Sequence, residues 1–75
     1  MSGLIKRSFS ISGHRTSVAL EAEFWDALRD IAGQRGLTLA GLVASFDATR
    51  DAAQPLTSAL RLLALRDARE RGNRP

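Results

Sequence analysis

The sequence predicts a mainly α fold with one short β-strand, and three observations carry the prediction. Arg15-Thr-Ser-Val-Ala-Leu20 alternates with period two, then gives way at once to a helix-period pattern. Three later stretches repeat apolar residues at helical spacing, separated by Gly36 and by Asp51-Ala-Ala-Gln-Pro55. The chain has 75 residues and no cysteine, which allows one small domain and neither a disulfide framework nor a thiolate metal site.

Residues 1–12 read as a basic N-terminal arm or an extra strand, since Arg7-Ser-Phe-Ser-Ile-Ser12 also alternates and Ser12-Gly13-His14 suits a turn. A loose arm would expose Phe9 and leave it to pack on a partner subunit. The strand at 15–20 has no other partner in its own sequence. Its backbone donors and acceptors must be satisfied, so a second copy of the chain is expected to supply a strand.

A first helix is expected over 21–35. Phe24, Leu28 and Ile31 form its apolar stripe, Trp25 and Ala32 widen it, and Asp26, Arg29 and Asp30 face away. Glu21, Glu23 and Asp26 near its start suit the helix dipole, and Gly36 is placed to end it in the left-handed region. Thr38 is a natural N-cap for a second helix, whose narrow stripe is Leu39, Leu42, Val43 and Phe46, ending near Thr49. Pro55 can open a third helix, with Leu56, Leu60 and Leu63 inward and Leu62 and Leu65 flanking. From Arg66 onward charge lies on every side, so fraying is expected towards Gly72. The domain is placed at 13–71 with a flexible tail at 72–75.

Charge narrows the classes of function. The formal net charge is +3, unevenly spread. Residues 1–16 carry Lys6, Arg7 and Arg15 without an acid; residues 17–55 carry six acids against three arginines; residues 56–75 carry five arginines against two acids. Basic ends around an acidic middle favour an anionic partner. No apolar run approaches the roughly 20 residues that span a bilayer, and no signal-peptide core is present, so the cytoplasm is the expected compartment. An enzyme is not expected, because no nucleophile–base pair or carboxylate pair sits at a recognisable spacing. No cofactor or metal is expected; His14, the one histidine, is better suited to a turn or a phosphate contact.

Strand, helix, glycine turn and second helix follow one another in Arg15-Thr-Ser-Val-Ala-Leu20, Glu21-Ala-Glu-Phe-Trp-Asp-Ala-Leu28 and Arg35-Gly-Leu-Thr-Leu39. This order resembles the ribbon-helix-helix DNA-binding family of the Arc/MetJ type. Gly13-His-Arg-Thr-Ser-Val18, Glu23-Phe-Trp-Asp-Ala-Leu28 and Leu56-Thr-Ser-Ala-Leu-Arg61 are more narrowly similar to a small bacterial subgroup with a third helical segment. The likeness covers roughly residues 13–65. It implies an intertwined homodimer whose two strands form an intersubunit antiparallel ribbon that enters the major groove of double-stranded DNA.

On that resemblance Arg15, Ser17 and Ala19 face the bases. Arg15 is the strongest reader, because its planar fork can bond guanine O6 and N7 together, whereas Ala19 is shorter than the polar residue usual there. Backbone N–H groups at Thr38, Leu39 and Ala40 are expected on phosphates, with Lys6, Arg7 and His14 as further phosphate contacts. The dimer core would comprise Thr16, Val18, Leu20, Phe24, Trp25, Leu28, Ile31, Leu39, Leu42, Val43 and Phe46. The expected function is a sequence-specific transcriptional regulator, a repressor. The alternative is an interaction module or antitoxin-like dimer whose third helix or arm binds another protein. A packed third helix is favoured over a membrane-surface one, because its arginines are scattered around the axis.

Overall fold

A computed structural model describes residues 3–72. The element order is β1 (Ile5–Ile11), β2 (His14–Leu20), α1 (Ala22–Gln34), α2 (Leu39–Thr49) and α3 (Leu56–Gly72). The expected tail at 72–75 falls largely on residues 73–75, which lie outside the described residues, as do residues 1 and 2 of the arm.

The first correction concerns the strand count. β1 pairs antiparallel with β2 in one two-stranded sheet, from Ile5 opposite Leu20 to Ile11 opposite His14. Residues 5–11 are therefore a strand rather than a loose arm. The ribbon is made within one chain, and the backbone requirement that called for a second copy is met locally. The turn shows how. Ser12 and Gly13 have φ of 51° and 82°, the two successive positive values of a type I′ connection, whose twist matches that of the flanking strands.

The hairpin is two-faced. Opposite residues share a face, so Ile5, Arg7, Phe9 and Ile11 lie beside Leu20, Val18, Thr16 and His14 on the inner side. Phe9, Ile11, Val18 and Leu20 are buried there against the helices. Phe9 is thus not an exposed aromatic awaiting a partner; its ring centroid lies 6.0 Å from that of Trp25.

Helix α1 buries Trp25, Leu28, Ile31 and Ala32, so its inward stripe is centred on Trp25 while Phe24 sits half-buried at the border. The α1 C-terminus closes as a Schellman motif. Leu37 N–H donates to Ala32 O and Gly36 N–H to Gly33 O, with Gly36 at φ +69°. Helix α2 starts on Thr38, whose Oγ1 accepts from Gly41 N at 3.0 Å. Leu42 and Val43 are fully covered, and Leu39 and Phe46 are partly covered.

Residues 50–55, linker-like in composition, are a hydrogen-bonded turn. Asp51 Oδ1 accepts from Ala53 N, and Arg50 bridges Asp47 Oδ1 and the Gln54 carbonyl. Helix α3 then buries Leu56, Ala59, Leu60, Leu63 and Ala64. It stays helical to Gly72 instead of fraying, with Arg71 paired to Asp67 at 2.9 Å across its last turns.

The packing corrects the assignment of the core. Val18, Leu20, Trp25, Leu28, Ile31, Leu42 and Val43 are each at most 1% exposed within a single chain. A side chain already removed from water gains no further burial at an interface. These residues form the core of the protomer, and only Thr16, Phe24, Leu39 and Phe46 of the expected dimer core keep accessible surface.

Candidate nucleic-acid interface

The outer face of the hairpin is built by the alternation that buries the inner one. Lys6, Ser8 and Ser10 of β1 stand opposite Ala19, Ser17 and Arg15 of β2. All are exposed except half-buried Ala19. The face contains two cations, three hydroxyls and no acid. Ser8 and Ser17 hydroxyls lie 3.2 Å apart at its centre, so the middle rung is a polar bridge that can donate or accept. Lys6 and Arg15 occupy diagonal corners. Four residues of strand separate their rungs, about 14 Å at ~3.4 Å per residue, close to four base-pair steps of B-DNA.

Two expected phosphate contacts do not share this face. Arg7 is on the inner row, half-buried, with its guanidinium carbon 5.6 Å from the Trp25 ring centroid and its Nε buried without a hydrogen-bond partner. Its charge rests on an aromatic surface, which stabilises a cation without a carboxylate. His14 closes the turn beside Ile11, exposed, one residue before Arg15 but on the opposite row. Thr38, Leu39 and Ala40 lie on a separate element at the start of α2. Thr38 Oγ1 is occupied by Gly41, while the Leu39 and Ala40 N–H groups have no acceptor among the described residues, as at any helix start.

The hairpin is fastened to the helices by a contact that periodicity does not show. Trp25 Nε1 donates to Ile5 O at 2.8 Å, tying the start of β1 to α1. A second fastening joins α1 to α3. Glu21, the α1 N-cap, makes no side-chain cap bond; its Oε1 instead accepts from Arg61 Nη2 at 2.9 Å, and Arg61 lies 5.6 Å from the Phe24 ring centroid. The hydrogen bond from Arg61 lowers the Glu21 carboxyl below its ordinary value, with its own backbone as the next cause. Sequence reasoning counted Arg61 among scattered charges. Its partner is 40 residues away, and the only signal available was that both residues fall in family-like segments.

The ribbon-helix-helix domain family model matches residues 4–68, so the match spans the hairpin and most of α3. The chain belongs to the ribbon-helix-helix family. Proteins of this family are generally non-enzymatic DNA-binding regulators and typically bind DNA as dimers. Among solved structures, this ribbon-helix-helix chain is similar to an uncharacterized protein from Bordetella pertussis Tohama I, with 34% identity and a TM-score of 0.79. The likeness covers 97% of this chain and 63% of that one, so the chain spans under two thirds of the length of its structural relative. No curated protein matches. Among the described residues no helix is long and apolar enough to cross a membrane, and no group of three or more His, Cys, Asp or Glu is placed to hold a metal ion.

Proposed function

We propose that the outer face of the hairpin enters the major groove of duplex DNA and that the protein is a sequence-specific transcriptional regulator, repressing by occupying its site. The observation that carries this is the acid-free face of Lys6, Ser8, Ser10, Arg15, Ser17 and Ala19, on a two-stranded ribbon of a size the groove admits. Arg15 bonds guanine O6 and N7 together. Ser17 and Ser8 add a contact of low discrimination, and Ala19 offers at most a thymine methyl contact. Lys6, His14 and the free N–H groups of Leu39 and Ala40 bind phosphates, which positions the ribbon without reading sequence.

The intrachain hairpin changes the expected motif. Its two strands differ in sequence, so the base pairs under one hairpin have no internal two-fold symmetry; a palindrome arises only from two copies. Selection of bound sites from random duplexes by the purified protein tests this. A short guanine-containing motif that loses its guanine preference with Arg15→Ala supports the proposal. Enrichment of no motif would overturn sequence-specific regulation and favour the antitoxin-like alternative, in which α3 binds another protein.

A further inference from the structure

Arg7 is the arginine of the hairpin that the outer face does not use. Among the described residues it belongs to no ion pair, and neither strand of the hairpin carries an acid that could serve it. It stands on the inner row opposite Val18, with its guanidinium carbon 5.6 Å from the centroid of the Trp25 ring. Trp25 is 1% exposed, so the guanidinium forms part of the cover that keeps water from that ring. The charge is held there by an aromatic contact, while its Nε is buried with no acceptor. Leaving a donor of a charged group buried and unpaired is costly. The inward position is therefore supported by one attraction and opposed by one unmet hydrogen bond.

We propose that Arg7 is a phosphate-binding residue held in reserve: it lies over Trp25 in the free protein and turns outward onto the DNA backbone when the hairpin enters the major groove. The inference rests on the DNA-binding role proposed above and adds to it the residue that grips the groove wall. A ribbon whose strands are about 4.8 Å apart, in a groove about 12 Å wide, sets each strand beside one wall of phosphates. β1 pairs only with β2, so its other edge faces that wall directly. Lys6 and Arg7 are neighbours on β1 that point to opposite faces. Lys6 reaches the wall from the base side of the ribbon, and Arg7 reaches it from the side of the helices.

The chemistry favours the outward turn once a phosphate is near. A guanidinium binds phosphate through two parallel N–H bonds, and a side-on pair uses Nε together with one terminal nitrogen. That pair supplies the acceptor that Nε lacks over Trp25. DNA binding thus exchanges an unmet donor for a paired one, and Trp25 loses its cover.

Trp25 is the single tryptophan of the chain, so its fluorescence reads the position of Arg7. Titrating the full chain with a random-sequence duplex at low salt should shift the emission to the red and make it more accessible to acrylamide. Arg7→Met keeps a long, flexible cover on the ring without a charge. In that variant the duplex should leave the emission where it was, and the slope of log affinity against log salt should fall by about one. Arg7→Lys should keep the wild-type slope, because the charge remains; a slope lost there too would count against a phosphate contact. A wild-type emission that ignores the bound duplex, or an Arg7→Met slope equal to the wild type, would make Arg7 only a cover for Trp25. Either result would overturn the inference and leave DNA binding by the hairpin standing. The emission measurement uses the unaltered chain, so it decides the matter even if Arg7→Met does not fold. Absence of duplex binding at low salt is a separate failure, which overturns the DNA-binding role and this inference with it.

Discussion

The outer hairpin face and the α1–α3 groove are both solvent-facing surfaces of one small domain, yet they are built for different chemistry. The hairpin face is polar and cationic without a single acid, and its side chains stand on a paired ribbon. The groove, an opening of about 360 Å³ between Phe24 and Ala27 of α1 and Leu62 and Leu65 of α3, is almost wholly carbon at its centre, with Glu23 and Arg61 as its two charged lining residues. The first suits a polyanion, whose attraction grows as salt falls; the second offers mostly carbon and little free charge, which suits an apolar contact. A net charge of +3 describes neither surface. What matters is that folding sorts the cations free of acid onto one face and leaves both signs on the other.

The comparison breaks most completely at Trp25, which ties the hairpin to α1, the helix that forms one wall of the groove. Trp25→Ala should cost about 3–5 kcal/mol of stability and release β1 by deleting the bond to Ile5 O. Urea denaturation would show it, and a loss under about 1 kcal/mol, the net worth of one hydrogen bond, would mean that the hairpin is held chiefly by its own ladder. Arg15→Ala should act on the hairpin face alone, weakening specific DNA binding by about 1–3 kcal/mol with little change on random DNA. Equal losses on both would make Arg15 a phosphate contact. Lys6→Ala should instead weaken both kinds of DNA alike and reduce the slope of affinity against salt by about one.

Gly13→Ala tests the ribbon's frame. An alanine forced to φ near +82° should destabilise by about 1–2 kcal/mol, read as a lower melting temperature with no change in the DNA motif. The smallest effect is expected at the α1–α3 junction. Glu21 has a lowered carboxyl pKa, so its contribution is fully present above the ordinary glutamate value of about 4.3 and is lost as pH falls through the lowered one. Acidification below that point should loosen the Glu21–Arg61 pair, and Glu21→Gln should flatten that part of the stability profile. An identical profile for the variant would show that the pair contributes nothing measurable, as many exposed pairs do.

Much of the fold was legible because its signals are local. Thr38 as N-cap, Gly36 as the left-handed stop, and the inward rows of α2 and α3 all follow from a few neighbouring residues. The division of β2 into an inner row of Thr16, Val18 and Leu20 and an outer row of Arg15, Ser17 and Ala19 followed from period two alone. Arg7 was misjudged for a reason of the same kind. Its charge suggested phosphate, but its place in the alternation beside Phe9 and Ile11 sets it on the inner row, against Trp25.

By itself, then, the sequence determined which residues share a side of each element, where α1 and α2 start and stop, and that the chain resembles the ribbon-helix-helix family. Only the tertiary structure decided the partners. It gave β2 its strand from within the chain, enclosed Trp25 and Leu28 in one protomer, joined Arg61 to Glu21 across 40 residues, and left Leu62 and Leu65 open. The physical reason is that periodicity and capping are set by backbone geometry over a few residues. Which surface covers an apolar row depends on how distant elements share one small core.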